Sequence, residues 1–567
     1  MNMKNENYLN TIRILSILCT TIIIARLGYL QIYLGHQYGT QSIKNYVRYE
    51  QINSARGEIL DCNGNKLVTN KPIINLYWHG TGNRRLTEQQ QNLITQLSRR
   101  CHTFICNQEI IQKITLAEKR NEQLLLMPNI SFELLSRIEE FFADEINITI
   151  KHDFKRFYPH ADLASHIIGY LSNAQIEAMG KMGLEKKFQE ILQGTDGTVI
   201  KTINSYGKRI NMHELHKSTV GKNVQVTLDL AIQQLVEQVF DAQYIGTFII
   251  MDPQTGAIKA LCSRPNFDPT LFLDPLHPEK WRSMQKNNPF LNRAIQCAYP
   301  PGSLFKLITI SAALQNDLIH PEDSFTCKGF TTFGKRRYSC NQKQGHGTLT
   351  IKQAVALSCN PLFYELGKKL SIDTLADYAQ RFGLGTKTGI IFPENNGLIP
   401  TAAWKQEVYG ERWWPGETLS AAIGQSYLLT TPMQIARMIG SIFTGFLVKP
   451  RILFDEPIET TTLEINPETT AFLQDSMRSV VTEGTGHRVN KIKDITIHAK
   501  TSTAQMSDMK KRTLGKKYLE HGWVVAHFKY KDYEPLVIVA MVEHAGSSRV
   551  PMIIAKNFLL GYRDLQV

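Results

Sequence analysis

Between Tyr8 and Tyr38 the apolar positions run almost unbroken: the charged residues are Arg13 and Arg26, and Ile14 to Ala25 has none. That uncharged run alone is too short to cross a bilayer core of about 30 Å, but apolar character resumes at Leu27 and continues to Leu34. Joined, the two pieces span it if an arginine reaches the interface. The pattern predicts a cytoplasmic segment 1–11 and one uncleaved, single-pass anchor over 12–34. No small-x-small cleavage site follows, and Leu18 before Cys19 does not suit a lipoprotein site. Lys4 and Arg13 at its start vote for an external C-terminal body.

Downstream the periodicity changes in stages. NSARGEILDCNGNKLVTN (53–70) reads as strand broken by the turn Asn63-Gly64, and 85–150 reads mostly as polar amphipathic helix. RFYPHADLASHIIGY (156–170) and a Gly-rich passage, GLEKKFQEILQGTDG (183–197), lead to a boundary near Lys222. Beyond it, VQVTLDLAIQQLVEQVF (224–240) reads as strand into helix, and TFIIMDPQTGAIKALCS (247–263) as a hairpin about Asp252 to Gly256. ITIHAKTSTAQ, GWVVAHFKY and PLVIVAMVEHA are three β-rich runs near the end. They predict an antiparallel sheet completed by the C-terminus, with the helical segments of 304–440 packed around it. The fold class expected is α/β (α+β), with an elongated domain over 35–222 and a second over 223–567.

Length and composition narrow this little. The 567 residues have room for about three or four domains, and 43% hydrophobic with 20% charged residues describes a globular protein. The net charge of +13 gathers in no Lys/Arg block. It suits a basic surface near anionic lipid or polymer, and no finger, recognition helix or basic-aromatic stripe argues for nucleic acid.

The sharpest chemical signal is AYPPGSLFKLITISAAL (298–314). Pro300-Pro301-Gly302 cannot lie inside a helix, and an apolar helical pattern starts directly after them. Ser303 is thereby placed at a helix N-terminus, with Lys306 on the same face within reach of its hydroxyl. A serine needs a base to become a nucleophile, and lysine serves only when desolvation or a neighbouring cation destabilises its ammonium. Taken alone, S-x-x-K is common enough to be chance.

Its context resembles the active-site helix of the penicillin-binding proteins, whose signatures are S-x-x-K, S-x-N and K-T-G. Ser358-Cys359-Asn360 in AVALSCNPLFYELG fits the second. Two stretches compete for the third. Lys387-Thr388-Gly389 spells the triplet but lies in the Gly/Pro-rich RFGLGTKTGIIFPENNG, which reads as loop. HAKTSTAQ (498–505) has Ser502 where the family has glycine, yet lies on a strand, where the site needs its lysine. Lys500 and Thr501 are therefore the pair expected. Strand alternation sets Ser502 opposite Thr501 and Thr503, so its CH₂OH presses into packed protein, tolerated by a slight displacement. Ser426, in WWPGETLSAAIGQS (413–426), replaces a second expected glycine.

RLGYLQIYLG (26–35), ARGEILDCNG (55–64) and MGLEKKFQEILQG (182–194) resemble the anchor and pedestal of class B, monofunctional members, and GHGTLTIKQA (345–354) and TEGTGH (482–487) resemble transpeptidase landmarks. The likeness is to the elongation-specific, penicillin-binding protein 2 branch. It implies a serine-type D-alanyl-D-alanine carboxypeptidase/transpeptidase with no cofactor for catalysis, located in the bacterial inner (cytoplasmic) membrane with its catalytic domain in the periplasm. Ser303 would attack the D-alanyl-D-alanine carbonyl of a peptidoglycan stem peptide, with Lys306 as base. Ser358, linked to Lys500, would relay a proton to the leaving amine. Asn360 would orient the donor amide, Lys500 and Thr501 would hold the terminal carboxylate, and the N–H groups of Ser303 and Thr503 would form the oxyanion hole. β-Lactams would be captured by the same serine. The implied partners are a SEDS-family glycosyltransferase and other elongation-complex membrane proteins. The rivals are a septal transpeptidase, a β-lactamase or β-lactam sensor, and a non-catalytic scaffold; no E-x-x-L-N stretch follows Asn360 to supply a deacylating glutamate.

Cys327, Cys340, His346 and Cys359, with 12, 5 and 12 residues between them, suit a tetrahedral structural zinc bracing the S-x-N turn. Scattered thiols, or a Cys327–Cys340 disulfide, fit the spacing too. Cys101 and Cys106 are either paired or simply buried.

Overall fold

The computed structural model describes residues 2–566 apart from 102–103, 105, 144, 173–177, 204–208, 275, 491 and 506–514. The apolar N-terminal pattern forms one helix, Asn2–Gly28, continued by a π-helical turn over Tyr29–Tyr33. Its stretch Tyr8–Tyr33, 26 residues of mean hydropathy 1.7 with none buried, is long and apolar enough to cross a membrane. At 1.5 Å per residue it reaches about 39 Å.

The chain forms two compact units. The first comprises Met1–Gly57, Asn70–Arg156 and Gln193–Lys222. Its helices Glu88–Arg100, Gln108–Arg120 and Phe132–Phe142 start at Thr87, Asn107 and Ser131, whose side chains accept from backbone N–H groups of the first turn. They bury Leu93, Leu97, Ile114 and Ile138 around Trp78. Strands Gln123–Met127 and Ile148–Phe157 both pair with Lys66–His79, so 85–150 is less helical than its polarity predicts. Asn121, at φ 55°, ends the second helix and frees QLLLM to alternate as a strand. In the same unit Val47–Ile52, Gly197–Ile203 and Arg209–His216 form an antiparallel three-stranded sheet.

The second unit comprises Glu58–Thr69, Phe157–Leu192 and Asn223–Val567. Its centre is a five-stranded antiparallel sheet in the order Ile258–Arg264, Gly246–Met251, Leu536–Val542, His521–Tyr530, Ile495–Ala504. Alternation divides each strand between two cores. Phe248, Ile250, Val524, Ala526 and Ile538 face the helices Leu230–Val239 and Arg549–Leu565. Ile249, Met251, Trp523, Val525 and Val539 face the core that holds Lys306–Gln315 and Pro432–Thr444. The resulting helix–sheet–helix sandwich leaves Ile495–Ala504 as an outer strand whose other edge pairs with no strand among the described residues, beside the turn that carries Ser303.

Candidate active site

The nucleophile turn is built from backbone. Tyr299 pairs with Thr430, and the Gly302 N–H donates to the Gly424 carbonyl at 3.0 Å. Gly302 adopts φ +53°, open to glycine because it has no Cβ. Leu304 N–H then closes on Pro301 O and Phe305 N–H on Gly302 O, a single 3₁₀ turn over Gly302–Leu304. The α-helix proper begins at Lys306, three residues later than the Pro-Pro-Gly stop predicts, because this tighter turn intervenes. Leu304 and Phe305 anchor it in the core while Ser303 stays half-buried.

Lys306 is wholly buried, and its Nζ donates to Asn360 Oδ1 at 2.7 Å, Ser358 O at 2.9 Å and Ser358 Oγ at 3.0 Å. Ser358 Oγ in turn donates to Ser303 Oγ at 3.0 Å. The path from Lys306 to the Ser303 hydroxyl thus runs through Ser358, where the sequence suggests direct contact. Ser358 sits at φ +55° between two helices, Ile351–Ala356 and Asn360–Lys369, and this left-handed step presents both its hydroxyl and its carbonyl to the lysine. Burial pushes the Lys306 ammonium down to about 7.

Lys500 and Thr501 lie on the outer strand Ile495–Ala504. Lys500 is also fully buried and held well below its ordinary value, first by burial and then by the positive charge of Lys306. Among the described residues neither lysine forms an ion pair, and Lys500 Nζ donates to the Thr501 carbonyl at 3.4 Å, not to Ser358 as the resemblance implies. With no carboxylate paired to either among the described residues, burial and mutual repulsion hold both amines towards the uncharged form. Thr501 Oγ1 shares a 2.6 Å hydrogen bond with Thr485 Oγ1, and Thr503 is exposed.

Thr485 and Gly424 carry no chemical signature of their own in the sequence, although TEGTGH and WWPGETLSAAIGQS frame them. The competing Lys387-Thr388-Gly389 is loop: Glu394 accepts from Thr388 N, Thr388 Oγ1 and Gly389 N at 2.6–2.9 Å.

Ser502 is 2% exposed and faces the Gly302 turn, where its Oγ donates to Pro301 O at 2.8 Å. The Cys/His set is also brought together. Ligand atoms of Cys327, Cys340, His346 and Cys359 all lie within 4.8 Å of one another, with Cys340 Sγ 3.5 Å from His346 Nδ1. All nine cysteines are free thiols, so neither Cys327–Cys340 nor Cys101–Cys106 is bridged.

A family model for the penicillin-binding protein transpeptidase domain matches residues 246–560, more than half of the chain. The chain belongs to the penicillin-binding protein transpeptidase family. A second model, the penicillin-binding protein dimerisation domain, matches 51–226. The peptidoglycan D,D-transpeptidase MrdA of Acinetobacter baumannii is 27% identical over 94% of this chain and 84% of its own length. Penicillin-binding protein 2 in a complex with MreC from Helicobacter pylori is 25% identical, with a TM-score of 0.77 over 92% of this chain and 99% of that one. A chain from a peptidoglycan synthase complex is 28% identical, with a TM-score of 0.75 over 98% of each. The resemblance to class B penicillin-binding proteins of the elongation type, the fold class and the D,D-transpeptidase class are borne out.

Proposed function

We propose that this penicillin-binding protein crosslinks peptidoglycan stem peptides during cell elongation through an acyl-enzyme on Ser303. The hydrogen-bonded path Lys306–Ser358–Ser303, ending on a buried lysine that has no acid partner among the described residues, is the observation that carries the reading. Neutral Lys306 accepts the Ser303 proton through Ser358 as Ser303 Oγ bonds to the penultimate D-alanyl carbonyl carbon. Backbone N–H groups of Ser303 and Thr503 stabilise the oxyanion, each contributing about 3–4 kcal/mol. Collapse breaks the peptide bond, and Ser358 returns the proton to the departing D-alanine amine. Lys500 and Thr501 hold the terminal carboxylate, whose negative charge favours the ammonium form of Lys500, and Asn360 orients the donor amide. An amine of a second strand then takes the acyl group and forms the crosslink; water in its place gives carboxypeptidase activity. A β-lactam enters by the same attack and stays attached.

The test is the intact mass of the protein after incubation with benzylpenicillin. One stable adduct is expected, absent in Ser303→Ala. Rapid penicillin turnover would favour a β-lactamase, and no adduct on folded protein would favour a scaffold.

We assign 12–34 to the membrane anchor, 35–222 to the pedestal and 223–567 to the transpeptidase domain, the catalytic part lying in the periplasm. The helix Tyr8–Tyr33 and the dimerisation-domain match over 51–226 support this division. A SEDS-family glycosyltransferase and other elongation-complex membrane proteins are the partners proposed for anchor and pedestal, supported by the likeness to proteins solved with MreC and within a peptidoglycan synthase complex.

For Cys327, Cys340, His346 and Cys359 we propose a structural zinc. Tetrahedral Zn–S bonds of about 2.3 Å place ligands roughly 3.8 Å apart, a spacing the cluster accommodates. A hydrogen bond from Cys359 lowers the Cys340 thiol, the direction that favours a thiolate ligand. Bound zinc would neutralise further thiolates and fix the cysteine between Ser358 and Asn360. Elemental analysis of protein purified without chelator is expected to find about one zinc per chain. No stoichiometric metal would remove the assignment.

A further inference from the structure

We infer that Ser502 is a positioning residue of the oxyanion hole, pinning the peptide that aims the Ser303 amide; this rests on the acyl-transfer reading above. The peptide unit between Pro301 and Gly302 is held at both ends. Its carbonyl accepts from Ser502 Oγ at 2.8 Å, and its N–H donates to Gly424 O at 3.0 Å. With both ends fixed, the plane cannot rotate, and Gly302 keeps φ +53°. The next amide along the chain is that of Ser303.

The other oxyanion donor, Thr503 N–H, follows Ser502 directly on the outer strand. The Ser502 hydroxyl therefore ties the two donors together across the outer edge of the sheet. Without it that edge meets the nucleophile turn without this bond, and the peptide is anchored only through Gly424 and the longer 3.3 Å bond that Pro301 O accepts from Leu304 N–H within its own turn. Glycine at 302 is the most easily rotated residue available, so the lost tether falls where the backbone resists least.

The surroundings show that the hydroxyl is fitted to this place. A Cβ on Gly302 would stand 2.5 Å from Ser502 Oγ and 3.3 Å from the Ala504 Cα and Cβ, so the side chain fills the space that the bare Gly302 leaves. Ser502 is paired with Trp523 on the neighbouring strand, is 2% exposed and donates to a backbone oxygen, so water does not compete for the bond. The displacement expected from the sequence gives way to an added contact. Preorganised donors act because they need no reorganisation when charge develops, and a tether on their spacing serves that end.

Three proteins separate this role from mere packing: the native chain, Ser502→Ala and Ser502→Gly. Each is titrated with benzylpenicillin by stopped flow to resolve the non-covalent constant K from the acylation rate k2. Each acyl-enzyme is then examined by infrared difference spectroscopy for the stretch of its ester carbonyl. Losing a whole oxyanion donor costs roughly 10²–10³-fold, so loosening one is expected to lower k2 by about tenfold in both variants, with K changed less than about twofold. The ester carbonyl stretch is expected to broaden and move to higher frequency as its hydrogen bonds weaken. Unaltered k2 and an unaltered carbonyl band in both variants would overturn the assignment, as would a change in K alone. Ser502→Gly, restoring the strand residue usual in the family, guards against a folding defect in Ser502→Ala. Failure of the native protein to form any Ser303 adduct would instead strike the acyl-transfer reading itself.

Discussion

Lys306→Met is expected to slow acylation by benzylpenicillin by about 10³-fold while leaving the chain folded. General-base assistance is typically worth roughly 10²–10⁴-fold, and Lys306 is the one group on the Ser303–Ser358 path able to keep a proton. Methionine preserves the length of the side chain in a fully buried slot beside Phe363, so packing changes little. Stability argues the same way. The ammonium titrates near 7 folded against 10.5 in the free side chain, so between these values the unfolded chain binds more protons and stability rises with pH. At neutral pH the buried amine still costs part of that difference. Methionine removes the cost, and the melting temperature at neutral pH is expected to match or exceed the native one. In the native protein the apparent second-order acylation constant should rise about tenfold per pH unit on the acid side and level off above about 7, as the amine becomes free to accept a proton. Stopped-flow acylation across this range checks both statements. A flat native profile, or a Lys306→Met variant with near-native rate, would transfer the base to another group.

The parts legible in the sequence are those fixed by local rules. Pro300-Pro301-Gly302 marks where the apolar pattern of Lys306–Gln315 is able to begin, and three β-rich runs at the end become adjacent antiparallel strands. The choice between two Lys-Thr pairs also follows local chemistry: Glu394 gathers the Thr388 and Gly389 N–H groups within its own loop, whereas Lys500 has strand alternation on both sides. What spacing could not show are contacts between distant segments. Ser358 intervenes between Lys306 and Ser303 because its own φ is positive, a conformation that no S-x-N pattern announces. Thr485 reaches Thr501, and Gly424 reaches Gly302, only once the sheet and its helices are assembled. QLLLM failed as helix for a similar reason. Its strand character comes from pairing with Lys66–His79, and polar neighbours in sequence conceal that. Ser502 shows the same limit, for a departure from the family pattern reads as a defect until its hydroxyl is seen on Pro301 O.

Gly424→Ala is expected to lower the acylation rate by about 10²-fold and stability by about 2–5 kcal/mol. Two terms add. Gly424 adopts φ +74°, where an L side chain costs about 1–2 kcal/mol. Its Cβ would also stand 2.0 Å from the Gly302 carbonyl oxygen and 2.7 Å from its carbon, and overpacking of this sort costs typically about 1–3 kcal/mol. Both atoms are backbone, so relief requires that the Gly302 turn move and take Ser303 with it. A displacement of about 1 Å at the reacting group is enough for roughly a hundredfold loss. Ser426, two residues on, supplies the control. It holds φ +73° but is exposed, and so accepts a side chain at the conformational cost alone. Ser426→Gly is therefore expected to acylate within about twofold of the native rate and to gain up to about 1 kcal/mol, since the same backbone strain is removed with no contact near Gly302 disturbed. Urea unfolding and penicillin acylation of both variants read the two effects separately. Native acylation by Gly424→Ala would mean that the Gly302 turn tolerates movement, and that the nucleophile is held chiefly from the helix behind it; equal losses in both variants would assign the effect to backbone strain along the whole 424–426 segment, not to the contact at Gly302.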